Sequence, residues 1–286
     1  MERLKQALER ARAERVQREG TNWAPVSPTP LPLPAEPRQQ DTQSVREVPA
    51  AIETRDAHAR VERVSAERLL ANRIVAMADH DPAATAYKVL RTHVLQRMRA
   101  NRWRTLAITS PTQGNGKTVT AINLAITLAR DVKHTVLLAD LDLRRPSMAS
   151  YFFDQPFPGV SDHITDDRPI DELLINPGID RLTLLPGNHS FPHSSEILAS
   201  PKMIDLVEDL KGRHPDRLVL LDMPPVLGGD DVIAFSPYVD ALLLVVEEGK
   251  TSKDELSEAY GLLDNAKILG TVLNKAEEGS TGAGYY

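Results

Sequence analysis

Six short apolar segments follow one another from residue 103 onward, with helical stretches between some of them, and few folds are compatible with this pattern. Most of the segments are apolar throughout, which is typical of strands that are covered on both faces of a sheet. The pattern predicts a doubly wound, mostly parallel α/β sheet. The predicted strands are TLAIT (105–109), TVLLAD (135–140), LTLLP (182–186), LVLLD (218–222), ALLLVV (241–246) and ILGTVL (268–273), and the helical stretches lie near 116–130, 201–211 and 252–264.

A glycine-rich loop lies between the first predicted strand and the helix that follows it. Its sequence from Ser110 to Thr118, SPTQGNGKT, matches the phosphate-loop pattern G-x-x-x-x-G-K-[ST] except that Pro111 replaces the first glycine. Backbone N–H groups of such a loop and of the helix N-terminus bind polyphosphates. The pattern assigns Lys117 to the β- and γ-phosphates and the Thr118 hydroxyl to Mg²⁺. A chance turn is the alternative, and the strand–loop–helix context counts against it.

Acidic residues end two further predicted strands. Asp140 and Asp142 lie in VLLADLDLRRP, and Asp222 ends LVLLD. The carboxyl ends of parallel strands share the edge where α/β folds bind ligands. Carboxylates at that edge can hold Mg²⁺ or accept a proton. The alternative for the first motif is a charged turn paired with Arg144 and Arg145, and for Asp222 it is a turn cap.

The part of the chain that precedes the first predicted strand divides by composition. Asp81-Pro82 predicts a helix start, because a capping residue is followed by proline at the first helical position. The proline-rich run VSPTPLPLPAEP favours extended chain that builds no core. The predicted organisation is an N-terminal helix (1–20), a Pro-rich linker (21–52), a helical or flexible connector (53–81), a nucleotide-binding domain (82–276) and a Gly/Tyr tail (277–286).

Composition and charge exclude several classes of protein. The absence of Cys excludes disulfides, thiolate zinc sites and cysteine nucleophiles. No apolar run approaches the ~20 residues of a membrane span, and the N-terminus lacks a signal peptide, so we expect a cytoplasmic chain. The net charge is +6 over residues 1–104 and −12 over residues 105–286. The basic run 82–104 has few aromatics, so we expect it to face solvent or an acidic subunit and not nucleic acid.

The ordered motifs resemble one family. TAYKVLRT, SPTQGNGKT, LLADLDLRRP, LLPGNHSFPHSSEILASPKM, LVLLDMPPV and TVLNK follow one another as in the bacterial tyrosine kinases of capsule and exopolysaccharide synthesis. These kinases are P-loop proteins related to chromosome-partitioning and septum-positioning ATPases. The resemblance covers about residues 83–276 and the tyrosine tail. Thr112 stands where the partitioning ATPases carry a second, signature lysine, which favours the kinases.

The resemblance implies an ATP- and Mg²⁺-dependent protein-tyrosine autokinase. One of the two acids of the second motif, in the first place Asp140, orients or deprotonates the substrate tyrosine. Tyr285 and Tyr286 match the C-terminal tyrosines that neighbouring subunits phosphorylate. The implied catalytic residues are Lys117, Asp140 and Asp142, the metal ligands are Thr118, Asp142 and Asp222, and the ATP contacts are Gly114, Asn115, Gly116, Lys117, Thr118, Val119 and Asn274, the last reading adenine.

The resemblance also implies partners. Lys88 and Arg91 match basic positions of an E-x-x-R-x-x-R subunit contact, in which Thr85 replaces the glutamate. Because no adaptor sequence is fused to the domain, a separate transmembrane chain-length or co-polymerase protein is expected to hold the chain at the inner membrane. Two alternatives stay open, a non-kinase ATPase switch of the partitioning type and a nucleotide-binding scaffold of a polysaccharide co-polymerase.

Overall fold

A twisted sheet of eight strands lies at the centre of residues 59–78 and 81–276, which are the residues that the computed structural model describes. The strand order is β1-β4-β5-β3-β6-β2-β7-β8, and every neighbouring pair is parallel except β4 and β5. The strands are β1 (Arg60–Val61), β2 (Thr105–Thr109), β3 (Thr135–Asp140), β4 (Ile175–Asn176), β5 (Leu182–Leu185), β6 (Arg217–Asp222), β7 (Ala241–Glu247) and β8 (Ile268–Asn274).

Helices cover both faces of this sheet. Along β2, Leu106 and Ile108 enter one apolar cluster, whereas Ala107 enters the other. This alternation explains why the strands are apolar throughout, because each is buried on both sides. The predicted doubly wound, mostly parallel sheet is therefore confirmed. The helices are α1 (Ala66–Ala71), α2 (Pro82–Asn101), α3 (Lys117–Ala129), α4 (Met148–Phe152), α5 (Val160–Asp166), α6 (Ser194–Leu198), α7 (Pro201–Gly212), α8 (Asp231–Phe235) and α9 (Lys253–Leu262).

The six predicted strands are confirmed with bounds that differ by a residue at most. The two strands that the pattern missed, β1 and β4, have two residues each. Segments this short carry no periodicity, and their pairing partners alone define them. None of the helices in the described part of the chain is long and apolar enough to cross a membrane.

Helix α2 begins where the sequence predicts. The Asp81 side chain accepts a hydrogen bond from the Ala83 N–H at 2.7 Å, and Pro82 occupies the first helical position. The apolar face of α2 packs into the cluster that also holds α3, through Val94, Leu95 and Met98.

The structure of residues 59–78 is less helical than predicted for the connector 53–81. The helix is confined to Ala66–Ala71, and β1 precedes it. Ile74 and Ala76, which follow the helix, are fully buried in the same core cluster as α3. Tertiary hydrogen bonds to α3 therefore override the helix propensity of this segment. The predicted N-terminal helix, the Pro-rich linker and the tail lie outside the described residues.

Candidate active site

The phosphate loop connects β2 to α3 at the carboxyl edge of the sheet. Gly114 and Gly116 both have a left-handed backbone, with φ of 87° and 88°. Such a conformation favours glycine because a side chain would strain it. A Cβ on Gly116 would also lie 2.2 Å from Asn274 Nδ2. The two glycines therefore let the loop turn tightly under the end of β8.

Asn115 holds the loop together from within. Its side chain is fully buried, and its Oδ1 accepts hydrogen bonds from Thr112 N at 3.1 Å and Thr112 Oγ1 at 3.2 Å. Its Nδ2 donates to Thr251 Oγ1 at 3.1 Å, and its backbone carbonyl accepts from Asn274 Nδ2 at 2.8 Å. The loop shape is thus fixed by hydrogen bonds to β8 and to the segment after β7, and a loop of fixed shape suits the binding of a polyphosphate by backbone N–H groups.

The side chain of Lys117 brings the predicted acids together. Its Nζ lies 2.8 Å from Asp142 Oδ2 and 3.4 Å from Asp222 Oδ1. Thr118 Oγ1 donates to Asp222 Oδ2 at 2.6 Å. Burial lowers the pKa of Lys117, but the charges of Asp222 and Asp142 raise it more, so its net pKa lies above the usual value. The lysine therefore keeps its positive charge at the end of the phosphate loop.

Asp140 is buried beside this group and bonded mainly to backbone. Its Oδ2 accepts hydrogen bonds from Ser147 N at 2.8 Å and Met148 N at 2.9 Å, and its Oδ1 accepts from Asp142 N at 3.2 Å. Burial and the charge of Asp222 raise the pKa of Asp140 to about 7. Asp140 therefore fixes the loop that carries Asp142.

A cleft of about 740 Å³ opens over the loop, and Asp142 lines it. Asp140 does not line this cleft and lies instead on a separate cavity of about 240 Å³. The basic side chains that line the larger cleft are Arg73, Lys117, Arg144, Arg145 and Lys275, and Asp142 is the single acid among its lining residues in the described chain. Such a balance suits a polyphosphate.

Sheet register explains why the acids meet. In the parallel pairing of β3 with β6, Asp140 is the direct partner of Asp222. In the pairing of β2 with β6, Ile108 is opposite Asp222, so the phosphate loop begins two residues beyond that point. Three strand ends therefore deliver the loop and both acidic motifs to one place, as the order of motifs in the sequence predicts.

A buried hydrogen-bond network beside the cleft was not predicted from the sequence. Asp231 is 1% exposed, and its Oδ2 accepts from Arg144 Nε at 2.7 Å. Its Oδ1 accepts from the Ser194 hydroxyl. Gly229 makes this possible, because a Cβ there would lie 2.5 Å from an Arg144 nitrogen. The network joins the loop after Asp142 to α6 and α8, and the Gly-Gly-Asp-Asp run before α8 was the available signal.

Other predicted residues include Asn274, the cations of α2 and the tail tyrosines. The Asn274 amide, predicted to read adenine, uses its Nδ2 to hold the phosphate loop. Arg91, predicted as a subunit contact, donates to the Thr127 carbonyl of its own chain at 3.4 Å, and Lys88 is half-buried on the same helix. The predicted phosphoacceptors Tyr285 and Tyr286 lie outside the described residues.

Comparison with known families assigns the domain. Residues 106–284 match the CobQ/CobB/MinD/ParA nucleotide binding domain. The chain belongs to this family. This family agrees with the predicted P-loop fold.

Several individual proteins that the chain is similar to are named as tyrosine kinases. The chain is 30% identical over 223 residues to the putative tyrosine-protein kinase EpsB of Ralstonia nicotianae, a match that covers 76% of this chain and 28% of that protein. It is 28% identical over 203 residues to the putative tyrosine-protein kinase CapB of Staphylococcus aureus, which covers 70% of this chain and 87% of that one. The solved BceF tyrosine kinase domain is 26% identical with a TM-score of 0.64, and the match covers 76% of this chain and 91% of that domain.

Proposed function

We propose that the chain is an ATP- and Mg²⁺-dependent protein-tyrosine kinase. The observation that carries the proposal is the position of Asp142, which lines the phosphate cleft 2.8 Å from Lys117, while Asp222 approaches the same lysine at 3.4 Å. Phosphate-loop ATPases need one strand-end acid for the metal. A second carboxylate facing the cleft supplies a group for an acceptor hydroxyl. The similarity to proteins named as tyrosine kinases supports the same conclusion.

The residues present fit a nucleotide with Mg²⁺. The Thr118 hydroxyl, Asp222 and Asp142 offer the hard oxygen ligands that this cation prefers. Thr118 and Asp222 are already in contact at 2.6 Å and are buried. When bound, Mg²⁺ neutralises charge on the β- and γ-phosphates. The chain itself contributes the loop N–H groups and the Lys117 ammonium, which hold the same phosphates in place.

In the proposed reaction, the phenolic oxygen of a tyrosine forms a bond to the γ-phosphorus, and the bond from that phosphorus to the β–γ bridging oxygen breaks. ADP leaves with its new negative charge beside Lys117. The phenolic proton passes to the Asp142 carboxylate, which lines the cleft, and Asp140 positions Asp142 through the loop hydrogen bonds. This proposal gives the proton-accepting role to Asp142, whereas the family resemblance favoured Asp140 for it.

The acceptors in this proposal are Tyr285 and Tyr286 of a neighbouring copy. The chain spans 28% of the length of the Ralstonia relative. We propose that the kinase regulates exopolysaccharide polymerisation or export and works in the cytoplasm, at the inner membrane, on a transmembrane chain-length protein. The support is the motif resemblance to the capsule and exopolysaccharide kinases.

Phosphate mapping tests the activity. Purified chain is incubated with ATP and Mg²⁺, with and without a candidate membrane activator, and tyrosine phosphate is located by mass spectrometry. Wild type is expected to carry phosphate on the tail, and Lys117→Met is expected to carry none. Equal labelling of both, or no labelling of wild type with its activator, would contradict the proposal.

A mixing experiment tests transfer between copies. A Lys117→Met chain that keeps both tail tyrosines is mixed with an active chain that carries Tyr285→Phe and Tyr286→Phe. Phosphate on the Lys117→Met chain shows transfer from one copy to another. Phosphate that appears only when the lysine and the tyrosines belong to the same chain shows transfer within one copy.

The rival function is an ATPase switch of the partitioning type. Thr112 counts against it, because its hydroxyl donates to Asn115 inside the loop at 3.2 Å and offers no second lysine to a phosphate. The switch predicts ATP hydrolysis and dimerisation that persist after deletion of both tail tyrosines, with no tyrosine phosphate. The kinase predicts that the same deletion removes the phosphorylated product.

A further inference from the structure

Helix α1 ends in a Schellman motif whose left-handed position is an arginine. Ile74 N donates to the Leu69 carbonyl at 2.8 Å, and Arg73 N donates to the Leu70 carbonyl at 3.0 Å. Leu69 and Ile74 are both buried in the core, which is the apolar contact of this motif. Arg73 has φ of 61°, where glycine is usual and another residue costs about 1–2 kcal/mol. The arginine side chain is therefore expected to have a role that offsets this backbone cost.

The backbone of Arg73 is fixed to the helix of the phosphate loop. Asn123 of α3 is fully buried, and its Nδ2 donates to the Arg73 carbonyl at 3.1 Å. Its Oδ1 accepts from Val75 N at 2.8 Å and Ala76 N at 2.9 Å. Because α3 begins at Lys117, these bonds tie the position of Arg73 to the position of the phosphate site.

The Arg73 side chain lines the phosphate cleft on the side of α4. The neighbouring Asn72 donates from Nδ2 to the Tyr151 carbonyl at 3.1 Å, and Tyr151 lines the cleft as well. The opposite side of the cleft belongs to β8, where Lys275 Nζ donates to the Gly114 carbonyl at 2.9 Å. With the base expected near Asn274 on the β8 side, the α4 side is left for the acceptor.

Charge pairing separates Arg73 from the other cations of the cleft. Lys117, Arg144 and Lys275 pair with acids at 2.8, 2.7 and 3.1 Å. Arg145 donates to Gln113 Oε1 at 2.7 Å. Within the described residues, the Arg73 guanidinium has neither an ion pair nor a hydrogen bond. An exposed cation that lines a phosphate cleft without an acidic partner is available to an anionic ligand.

We propose that the Arg73 guanidinium binds the transferred phosphoryl group on the acceptor side of the cleft. A guanidinium binds a phosphate through two parallel hydrogen bonds, which suits both the γ-phosphate of ATP and the phosphate of a tyrosyl product. Binding of the tyrosyl phosphate rests on the proposed kinase function, whereas binding of the γ-phosphate does not. Residue 73 precedes residues 106–284, which are the part of the chain that matches the family model.

The test uses Arg73→Asn, since asparagine tolerates a left-handed backbone, and Arg73→Lys, which keeps the charge without the paired donors. Arg102→Asn is a matched control. Arg102 also has a left-handed φ, 58°, at the end of α2, where Trp103 N donates to the Met98 carbonyl at 2.9 Å. It lines a different cavity, near the start of β6. Thermal unfolding confirms that each variant is folded.

Calorimetric titration of the full chain, in the presence of Mg²⁺, measures the binding affinity for three probes. These are ADP, adenylyl imidodiphosphate and O-phosphotyrosine. Arg73→Asn is expected to weaken the binding of adenylyl imidodiphosphate or O-phosphotyrosine about tenfold. Its affinity for ADP is expected to stay within about twofold of wild type. Arg73→Lys is expected to have affinities for the phosphoryl probes between those of Arg73→Asn and wild type. Loss for the first probe alone assigns the arginine to the γ-phosphate, and loss for the second alone assigns it to the product.

Unchanged binding of both phosphoryl probes, or an equal loss for ADP, would overturn the proposal. So would an equal effect of Arg102→Asn. Because the titration needs no phosphoryl transfer, a chain that failed the phosphate mapping could still show the γ-phosphate contact. Conversely, an active kinase with an inert Arg73 would overturn this inference and leave the kinase function intact.

Discussion

The Lys117 ammonium lies 2.8 Å from the Asp142 carboxylate, and both side chains are at most 12% exposed. This ion pair joins the phosphate loop after β2 to the acidic motif after β3. Because Asp222 of β6 approaches the same ammonium at 3.4 Å, the lysine stands between two carboxylates. Asp142 is therefore paired with the lysine of the phosphate loop and does not belong to a solvated turn.

Replacing Asp142 with Asn tests this relationship. The neutral side chain keeps the size of the original but loses the carboxylate proposed to take the phenolic proton, so tyrosine phosphorylation is expected to fall by about 10²–10⁴-fold. Binding of ADP without metal is expected to change little, because the loop N–H groups are intact. Quantitative mass spectrometry and calorimetric titration measure the two effects.

Asp264→Asn is the control for this prediction, because Asp264 is an exposed acid that follows α9. It should leave both measurements at the wild-type level. If Asp142→Asn kept wild-type phosphorylation, Asp142 would have no role in transfer.

Gly116→Ala tests the close approach of the phosphate loop to β8. The added Cβ would lie 2.2 Å from Asn274 Nδ2 and would strain a φ of 88°. The loop must then move away from Asn274, and nucleotide affinity is expected to fall by about tenfold or more. Titration with ADP measures the loss.

Gly249→Ala separates strain from the clash. Gly249 also has a left-handed φ, 70°, but a Cβ there would meet nothing within 4 Å. This variant should lose about 1 kcal/mol of stability and bind ADP as wild type does. Equal affinity losses in the two variants would show that general strain, and not the contact with Asn274, explains the effect.

Asp240→Asn tests a pH-dependent contribution to stability away from the site. Asp240 Oδ2 accepts from Arg104 N at 2.7 Å and Thr105 N at 2.9 Å, which joins the starts of β7 and β2. Partial burial raises the pKa of Asp240, but these N–H donors lower it more, so its net pKa lies below the usual value. The carboxylate therefore stabilises the fold above the unfolded-state pKa, about 3.9.

The sign of this effect follows from proton linkage. A group whose pKa is lowered by folding contributes stability at neutral pH and loses it as pH falls through the folded-state pKa. Urea unfolding at pH 7 is expected to show Asp240→Asn less stable than wild type by about 1 kcal/mol. The difference should shrink as pH falls below about 4. A difference that stayed constant down to pH 3 would contradict the assignment.

The sequence was sufficient for the parts of the molecule that repeat a strong local pattern. Strands buried on both faces read as continuous apolar runs, and the phosphate loop has a fixed spacing of glycine, lysine and threonine. The meeting of Asp140 with Asp222 also followed, because parallel strands that end in acids share one edge.

Partners far apart in the chain could not be predicted in the same way. Arg144 and Asp231 are 87 residues apart, and nothing in the local sequence of either one specifies the other. The loop-holding role of Asp140 depends on the N–H groups of Ser147 and Met148, whose direction only the folded turn decides. The segment after α1 reads as helix, and its contacts with Asn123 are long-range.

Asn123→Ala tests the attachment of that segment to α3. The asparagine is fully buried and satisfies Val75 N, Ala76 N and the Arg73 carbonyl. Its removal leaves these groups without their partner, so the free energy of unfolding is expected to fall by about 2–4 kcal/mol. Hydrogen exchange at the Val75 and Ala76 amides should also speed up more than exchange in the central strands, because the segment opens locally.

Asn101→Ala is the matched control for this prediction. Asn101 Nδ2 donates to the Arg97 carbonyl at 2.8 Å, but the residue is exposed, so water replaces the lost bond. Its cost is expected to stay within about 0.5 kcal/mol. Similar costs for the two asparagines would mean that the segment after α1 is not attached through Asn123, and the position of Arg73 would then need another explanation.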